Sequence, residues 1–115
     1  AKISGGGNVK FPTFDRSLDC VIQNGGMVKS KDHTILVEGN YLILNQEPWK
    51  KISSHWDFSI MLDVPQEIIE KRLLERWAAN GFDASQAAFK TKNNDLPNAI
   101  IIKNNSLEAN YYLCL

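Results

Sequence analysis

The residues best suited to chemistry in this sequence include a carboxylate that ends a short apolar run. Glu38 follows Thr34–Val37 and precedes Gly39 and Asn40. Such a run without polar alternation is typical of a strand buried on both faces of a parallel sheet. Ligands of open α/β sheets bind beyond the carboxyl ends of the strands. Glu38 could therefore hold a metal ion or orient a hydroxyl, or it could simply be the first polar residue after a core strand.

Two arginines form a second candidate group. Arg72 and Arg76 are four residues apart, so they share one face of a predicted helix. Like charges at this spacing disfavour each other by about 0.2–0.5 kcal/mol. Arg72 has Glu75 three residues on, whereas Arg76 has no acidic residue three or four positions away. Paired guanidinium groups can cradle a phosphate, so the pattern indicates either a phosphate site or a solvated helix face.

A third charged group, Asp15 and Arg16, lies at the end of the segment Phe11–Arg16. Pro12 favours extended geometry in its neighbours, and the two aromatic residues could anchor a short segment that presents Asp15 and Arg16. Adjacent opposite charges are also typical of a solvated turn. Both interpretations stay open on the residues alone.

Several other kinds of site are not indicated. The glycines at 5–7 and 25–26 do not form the G-x-x-x-x-G-K-[ST] pattern, in which backbone amides, a lysine and a hydroxyl converge on phosphate. Cys20 and Cys114 lack the spacing of a zinc or redox motif. Reduced thiols in an intracellular protein are therefore expected. Neither histidine has a second ligand at metal spacing.

Composition predicts one modest core and indicates neither nucleic-acid binding nor a membrane-spanning segment. The chain has 115 residues, of which 43% are hydrophobic, and its 13 basic and 13 acidic residues cancel. This balance gives no electrostatic footprint for nucleic acid or an anionic membrane. The apolar runs are much shorter than the roughly 20 residues that span a bilayer. The start does not read as a signal peptide, and both ends suggest part of a longer protein.

The predicted fold class is α/β with a parallel sheet. Apolar runs predict buried strands at Thr34–Val37, Asp57–Leu62 and Ala99–Ile102. Cys20–Ile22 could form a brief edge strand, followed by a polar loop over Gln23–Asp32. Because helical segments separate the later strands, right-handed parallel crossovers are expected.

Two helices are predicted between the later strands. The first begins at Pro65 and ends before Gly81, with apolar residues at four-residue steps on one face. The second is capped by Asp83 or Ser85. It is expected to fray at Asn93–Asp95 and to stop at the following proline.

Seven segments of the chain occur together in a recognisable order. Their combination resembles the phosphoribulokinase/uridine kinase group of P-loop small-molecule kinases, in particular the branch with fructose-transport-type and fungal ATP-dependent kinases. The resemblance covers residues 11 to about 110. The segments are F-P-T-F-D-R (11–16), T-I-L-V-E-G-N-Y-L-I-L (34–44), P-W (48–49), W-D-F-S-I-M-L-D-V-P (56–65), R-L-L-E-R-W (72–77), N-G-F (80–82) and N-D-L-P-N-A (94–99).

This resemblance implies roles for the charged residues. Glu38 matches the acidic residue that ends the Walker-B-type strand, close to Mg²⁺ and the transferring phosphoryl group, and would act on the metal indirectly. Asp15 and Arg16 match the loop that lines the acceptor-substrate pocket. Arg72 and Arg76 match lid-helix arginines that close over the nucleotide phosphates.

Three polar residues match the point where the lid returns to the sheet. Asn94, Asp95 and Asn98 are expected on the nucleotide side or at a hinge, without a more specific role. The lid is expected at about residues 72–98. Residues 1–10 are expected to form a flexible glycine-rich segment, and 11–115 the C-terminal part of a single kinase domain.

The implied fold is a P-loop-kinase (NTP hydrolase-like) fold that is incomplete, because the Walker A half does not occur in these residues. The intact protein is expected to transfer a phosphoryl group from ATP to a hydroxyl of a small metabolite, with ATP and Mg²⁺ as cofactors. The isolated chain is expected to be inactive. Its expected partners are the acceptor and the missing N-terminal half, in the cytoplasm, with no nucleic acid and no membrane. The alternative is a catalytically silent kinase-like module for nucleotide binding or assembly.

Overall fold

The computed structural model describes residues 5–115, which form two compact units. The N-terminal unit ends at Glu38, and the C-terminal unit begins at Gly39. The first is a β-hairpin with a tail, and the second combines helices with a small parallel sheet. The predicted glycine-rich segment 1–10 lies partly outside the described residues.

The N-terminal unit is built on an antiparallel hairpin. Strand β1, Val9–Asp15, pairs with β2, Cys20–Val28. The edge strand predicted at Cys20–Ile22 is confirmed. The polar loop predicted over Gln23–Asp32 is wrong for its first six residues, because β2 continues through them to Val28.

Two glycines that resemble a loop lie inside β2 for a steric reason. A Cβ at Gly25 would collide with the Thr13 hydroxyl, and one at Gly26 would collide with the ring of Phe11 on the facing strand. The pairing also shifts register between Phe11 and Thr13. Strand glycines of this kind mark a bulge or a close approach of neighbouring groups.

The buried strand predicted at Thr34–Val37 is wrong for this structure. Residues 32–39 have no regular secondary structure, and Leu36 is 91% exposed. A strand buried on both faces needs neighbours that pair with its backbone and cover its side chains. Within the described part of the N-terminal unit, β1 and β2 pair only with each other.

The C-terminal unit confirms the mixed α/β class with a parallel sheet. Strands β3 and β4 lie side by side in parallel, with Ile60 opposite Tyr111 and Asp63 opposite Cys114. The helices lie between them in sequence, as parallel crossovers require. The elements are a 3₁₀ helix at Trp49–His55, β3 at Ile60–Asp63, α1 at Gln66–Ala79, α2 at Ala84–Lys90, a π turn at Thr91–Asp95, α3 at Leu96–Asn105 and β4 at Tyr111–Cys114.

Local sequence signals place helices α1 and α2 as predicted. Pro65 occupies the N-cap position of α1, and Gly81 follows the helix with φ of 86°. A positive φ is the conformation in which glycine commonly ends a helix. Asp83 caps α2 by accepting a hydrogen bond from the Gln86 amide at 2.8 Å, and the Gln86 side chain accepts one in return from Asp83.

The helix end and strand predicted after α2 are both wrong. The chain does not fray at Asn93–Asp95 but passes through the π turn directly into α3. Ala99–Ile102 lies inside α3, and the second parallel strand is Tyr111–Cys114 instead. A four-residue apolar run fits a buried helix as well as a strand, and Pro97 is tolerated in a first turn, where its missing N–H costs little.

The core of the C-terminal unit is small. Thr91 in the π turn is completely buried, and the Trp56 indole donates a hydrogen bond to the Leu42 carbonyl at 2.8 Å. None of the helices formed by residues 5–115 is both long enough and apolar enough to cross a membrane. The most buried apolar side chains are those of Leu44, Ala87, Leu96 and Ala109.

Candidate phosphate-side cluster and acceptor-side loop

A partly buried carboxylate links the end of α1 to the π turn. Asp95 is only 14% exposed, and its Oδ2 accepts a hydrogen bond from the Trp77 indole N–H at 2.7 Å. The same oxygen lies 3.7 Å from Nη2 of Arg76. Because 3.7 Å exceeds hydrogen-bond length, the contact with Arg76 is an ion pair that leaves the guanidinium donors free.

Cations and a second aromatic ring meet at Trp77, the residue whose indole donates to this carboxylate. Lys90 Nζ lies 4.8 Å from the ring centroids of both Trp77 and Phe82, and those rings meet edge to face with centroids 5.2 Å apart. The Arg76 guanidinium carbon lies 5.4 Å from the Trp77 ring. Such distances are within the range of cation–π attraction. We call Arg76, Trp77, Phe82, Lys90 and Asp95 the Trp77 cluster.

The predicted residues Asn94 and Asn98 extend the Trp77 cluster. Asn94 Nδ2 donates to Asp95 Oδ1 at 3.2 Å, and Asn98 Nδ2 approaches Asn94 Oδ1 at 3.5 Å. The structure therefore brings together Arg76, Asn94, Asp95 and Asn98 out of the residues that sequence analysis singled out. Their roles in a reaction stay predictions.

The two predicted lid arginines differ in their surroundings. Arg72 is exposed and, within the part of the chain that the structure describes, forms no ion pair. Its expected neighbour Glu75 faces Lys71, at 4.0 Å. Arg76, which has no acidic residue three or four positions away in sequence, is the arginine that lies beside a carboxylate, that of Asp95.

The acceptor-side pair lies at the hairpin turn. Asp15 Oδ1 accepts three hydrogen bonds, from the Ser17 hydroxyl at 2.6 Å, the Ser17 amide at 2.9 Å and the Leu18 amide at 3.0 Å. These bonds, the Ser17 hydroxyl foremost, hold the pKa of Asp15 below its ordinary value. Arg16 is exposed in the turn. Asp15 thus stays an anion that is already oriented.

Glu38 is exposed at the last position of the N-terminal unit. No group of three or more His, Cys, Asp or Glu side chains comes together among residues 5–115 to hold a metal. A single carboxylate still suits Mg²⁺, which commonly takes one or two protein carboxylates and completes its shell with water and substrate phosphates. Glu38 therefore fits as one ligand or a water-mediated contact, and the nucleotide would supply the others.

Two open depressions lie on the C-terminal unit. One, of about 360 Å³, is bounded by Phe82, Phe89 and Lys90 at the edge of the Trp77 cluster. The other, of about 590 Å³, lies at the carboxyl ends of β3 and β4, where Lys103 Nζ is 4.0 Å from Asp63 Oδ1. Carboxyl ends of parallel strands are the usual ligand side of such sheets.

The chain is similar to several known proteins over almost its whole length. It is 32% identical to the uncharacterized protein YggC of Escherichia coli, across 90% of this chain and 43% of that protein. It superposes on a protein proposed to be a fructose transport system kinase, from Silicibacter sp. TM1040, with a TM-score of 0.84 and 34% identity, covering 93% of this chain and 52% of that one. The predicted resemblance to P-loop kinases is confirmed.

Two further proteins are also similar to this chain. The ATP-dependent kinase-like protein notR′ of Aspergillus versicolor is 31% identical across 84% of this chain and 57% of its own length. YFH7 of Saccharomyces cerevisiae, proposed to be a P-loop-containing kinase with a circular permutation, shares the fold with a TM-score of 0.73 at 23% identity, across 94% of this chain and 35% of YFH7. No protein-family model matches this kinase-like chain. The chain spans about half the length of YggC, notR′ and the Silicibacter protein, and about a third of YFH7.

Sequence analysis missed the aromatic part of the Trp77 cluster. The four-residue spacing places Trp77 on the apolar face of α1, and no sequence pattern indicates Lys90 or Phe82 as site residues. The one available signal was the adjacency of Trp77 to Arg76. The contact with Asp95 could not be inferred, because it spans 18 residues and depends on the π turn.

Proposed function

We propose that these residues are part of an ATP-dependent kinase that transfers a phosphoryl group to a hydroxyl of a small metabolite. The observation that carries the proposal is the likeness, over nearly all of the chain, to proteins named as kinases. The Trp77 cluster supports it, because it presents a guanidinium whose donors are free to bind an anion.

Phosphoryl transfer depends mainly on positioning and charge stabilisation. In this proposal, Arg72 and Arg76 bind the nucleotide phosphates, and the oriented carboxylate of Asp15 and the guanidinium of Arg16 contact the acceptor. Glu38 would hold the metal, directly or through a bound water. Magnesium, when bound, supplies positive charge that offsets the charge of the phosphates.

The proposal also includes a further part of the same protein, which would complete the kinase. The chain spans only about half of its relatives, and β3 and β4 expose Ile60, Leu62, Tyr111 and Leu113. A two-stranded sheet with exposed apolar residues is marginal by itself. We propose that the other half of the same protein covers this sheet and supplies the Walker A loop. Both cysteines are free thiols, which suits an intracellular location.

Replacement of Glu38 by Gln in the full-length protein tests the proposed mechanism. The change keeps the shape of the side chain but removes its charge, so ATP turnover with acceptor should fall at least about 10²-fold. A matched control is Glu47→Gln, because Glu47 forms only an exposed ion pair with Lys51 at 3.7 Å. Activity of the Glu38→Gln variant within about twofold of wild type would remove Glu38 from the mechanism. ATP binding without transfer to any acceptor would favour a catalytically silent module.

A further inference from the structure

We propose that Asp95 is a positioning residue, which holds the Arg76 guanidinium in place for the nucleotide phosphates and acts through Arg76 alone. This inference rests on the proposed function and deepens it. The sequence placed Asp95 only at a hinge or on the nucleotide side. Its basis is that Trp77 and Arg76 approach the same oxygen of Asp95.

Two hydrogen bonds hold the Asp95 carboxylate in position. Its Oδ2 takes the Trp77 indole hydrogen bond at 2.7 Å, and its Oδ1 takes the Asn94 amide at 3.2 Å. Trp77 is fixed in turn, because Phe82 packs edge-on against its ring and Lys90 lies over it. A carboxylate with 14% exposure and two hydrogen-bond donors has little rotational freedom.

The contact with Asp95 orients the Arg76 side chain but does not use its N–H groups in a hydrogen bond. The oxygen nearest Arg76 is already bonded to Trp77, and the separation from Nη2 is 3.7 Å. The charges attract at this distance, but no hydrogen bond forms. Arg76 also remains 57% exposed. Its planar fork of N–H groups is therefore restrained and still able to bind a phosphate in bidentate fashion.

The surroundings of Arg72 differ from those of Arg76, which indicates that the two arginines contribute differently to phosphate binding. Arg72 lies one turn earlier on α1, is exposed, and has no comparable carboxylate among the residues the structure describes. A restrained side chain loses less conformational entropy on binding than a free one. Arg76 should therefore contribute more to phosphate affinity than Arg72, and only its contribution should depend on Asp95.

A double-mutant cycle in the full-length protein tests the inference. Asp95→Asn, Arg76→Gln and the double variant are compared with wild type in ATP affinity, by calorimetry without acceptor. Asp95→Asn keeps an oxygen for the Trp77 indole and removes the charge that faces Arg76. We expect it to weaken ATP binding about 3- to 30-fold in the wild-type background, and to change binding less than about twofold when Arg76 is already Gln.

Two controls separate positioning from a merely structural role. Glu75→Gln removes a carboxylate from the same helix that faces Lys71 and not Arg76, and should leave ATP affinity unchanged. Thermal unfolding of every variant reports stability. A structural role would make Asp95→Asn lower stability and ATP affinity equally in both backgrounds, because it does not depend on the charge of Arg76.

The outcomes distinguish this inference from the proposed function. Equal losses of affinity with and without Arg76 would overturn the positioning role, even if the protein is an active kinase. Coupled losses in a protein that binds ATP but transfers no phosphoryl group would overturn the proposed catalysis and support the positioning role. A full-length protein that does not bind ATP overturns both.

Discussion

At the scale of single residues, local hydrogen bonds lower the pKa of a candidate substrate contact and orient its carboxylate. Asp15 is held as an anion by three donors within three residues of it, and the strongest influence is the Ser17 hydroxyl. A carboxylate that is ionised and oriented before substrate arrives can accept a hydroxyl hydrogen bond without reorganisation. Asp15 should therefore not titrate in the neutral range of a pH–activity profile.

Replacement of Ser17 tests this arrangement. Ser17→Ala removes the donor that lowers the pKa most, so the pKa of Asp15 should rise towards its ordinary value. The measurement is a carboxyl NMR titration of the full-length protein. Ser17→Thr, which keeps a hydroxyl, is the matched control and should retain the lowered pKa. An unchanged pKa in Ser17→Ala would show that the two backbone amides suffice.

The lowered pKa of Asp15 makes the folding stability depend on pH in a defined direction. Because the pKa of Asp15 is lower in the folded state, its ionised form stabilises the fold at pH values above its unfolded pKa of about 3.9. That contribution is lost as the pH falls through the folded pKa. In Ser17→Ala this acid-dependent part should shrink, while stability near neutral pH should decrease.

At the scale of elements, the hairpin depends on two glycines within a strand. Gly25→Ala should destabilise the protein by about 1–3 kcal/mol, because the new methyl group would overlap the Thr13 hydroxyl on the facing strand. Urea unfolding of the full-length protein measures the change. Gly7→Ala is the control, since nothing lies within 4 Å of a Cβ there. Equal stability of the two variants would contradict the observed packing of β1 on β2.

Elements with local signals could be predicted from sequence, and elements that depend on distant partners could not. Pro65, Gly81 and Asp83 mark helix ends by their own backbone preferences, so α1 and the start of α2 were predictable. Ala99–Ile102 carries no such signal and fits either a strand or a helix. Thr34–Val37 reads as a strand only if neighbours cover it, and the hairpin of its unit does not.

In the candidate site, too, residues with local sequence signals could be singled out, whereas contacts between distant residues could not. Arg72 and Arg76 could be recognised because their helical spacing is local, and Asp15 because it lies within a compact motif. The contact of Arg76 with Asp95 was not predictable, since a π turn between α2 and α3 determines where that carboxylate lies. The contact of Lys90 with Trp77 also joins two different helices, α2 and α1, so helical spacing within one element does not predict it.

At the scale of the whole molecule, two features support our proposal that the chain is part of a larger kinase. It spans about half the length of its relatives, and its parallel sheet of two strands leaves large apolar side chains exposed. Ligand sites of parallel sheets lie at the carboxyl ends of strands. We therefore expect catalysis to need the further strands and the phosphate loop that the remaining half would contribute.

The most direct test of the kinase proposal is the detection of the phosphorylated product itself. The full-length protein is incubated with ATP, Mg²⁺ and a panel of small hydroxyl-bearing metabolites, and ³¹P NMR follows the terminal phosphate. We predict that one acceptor gains a phosphate ester as ADP accumulates, and that the 115-residue chain alone forms none. Release of inorganic phosphate without any ester, or no loss of ATP with any acceptor, would contradict the proposal.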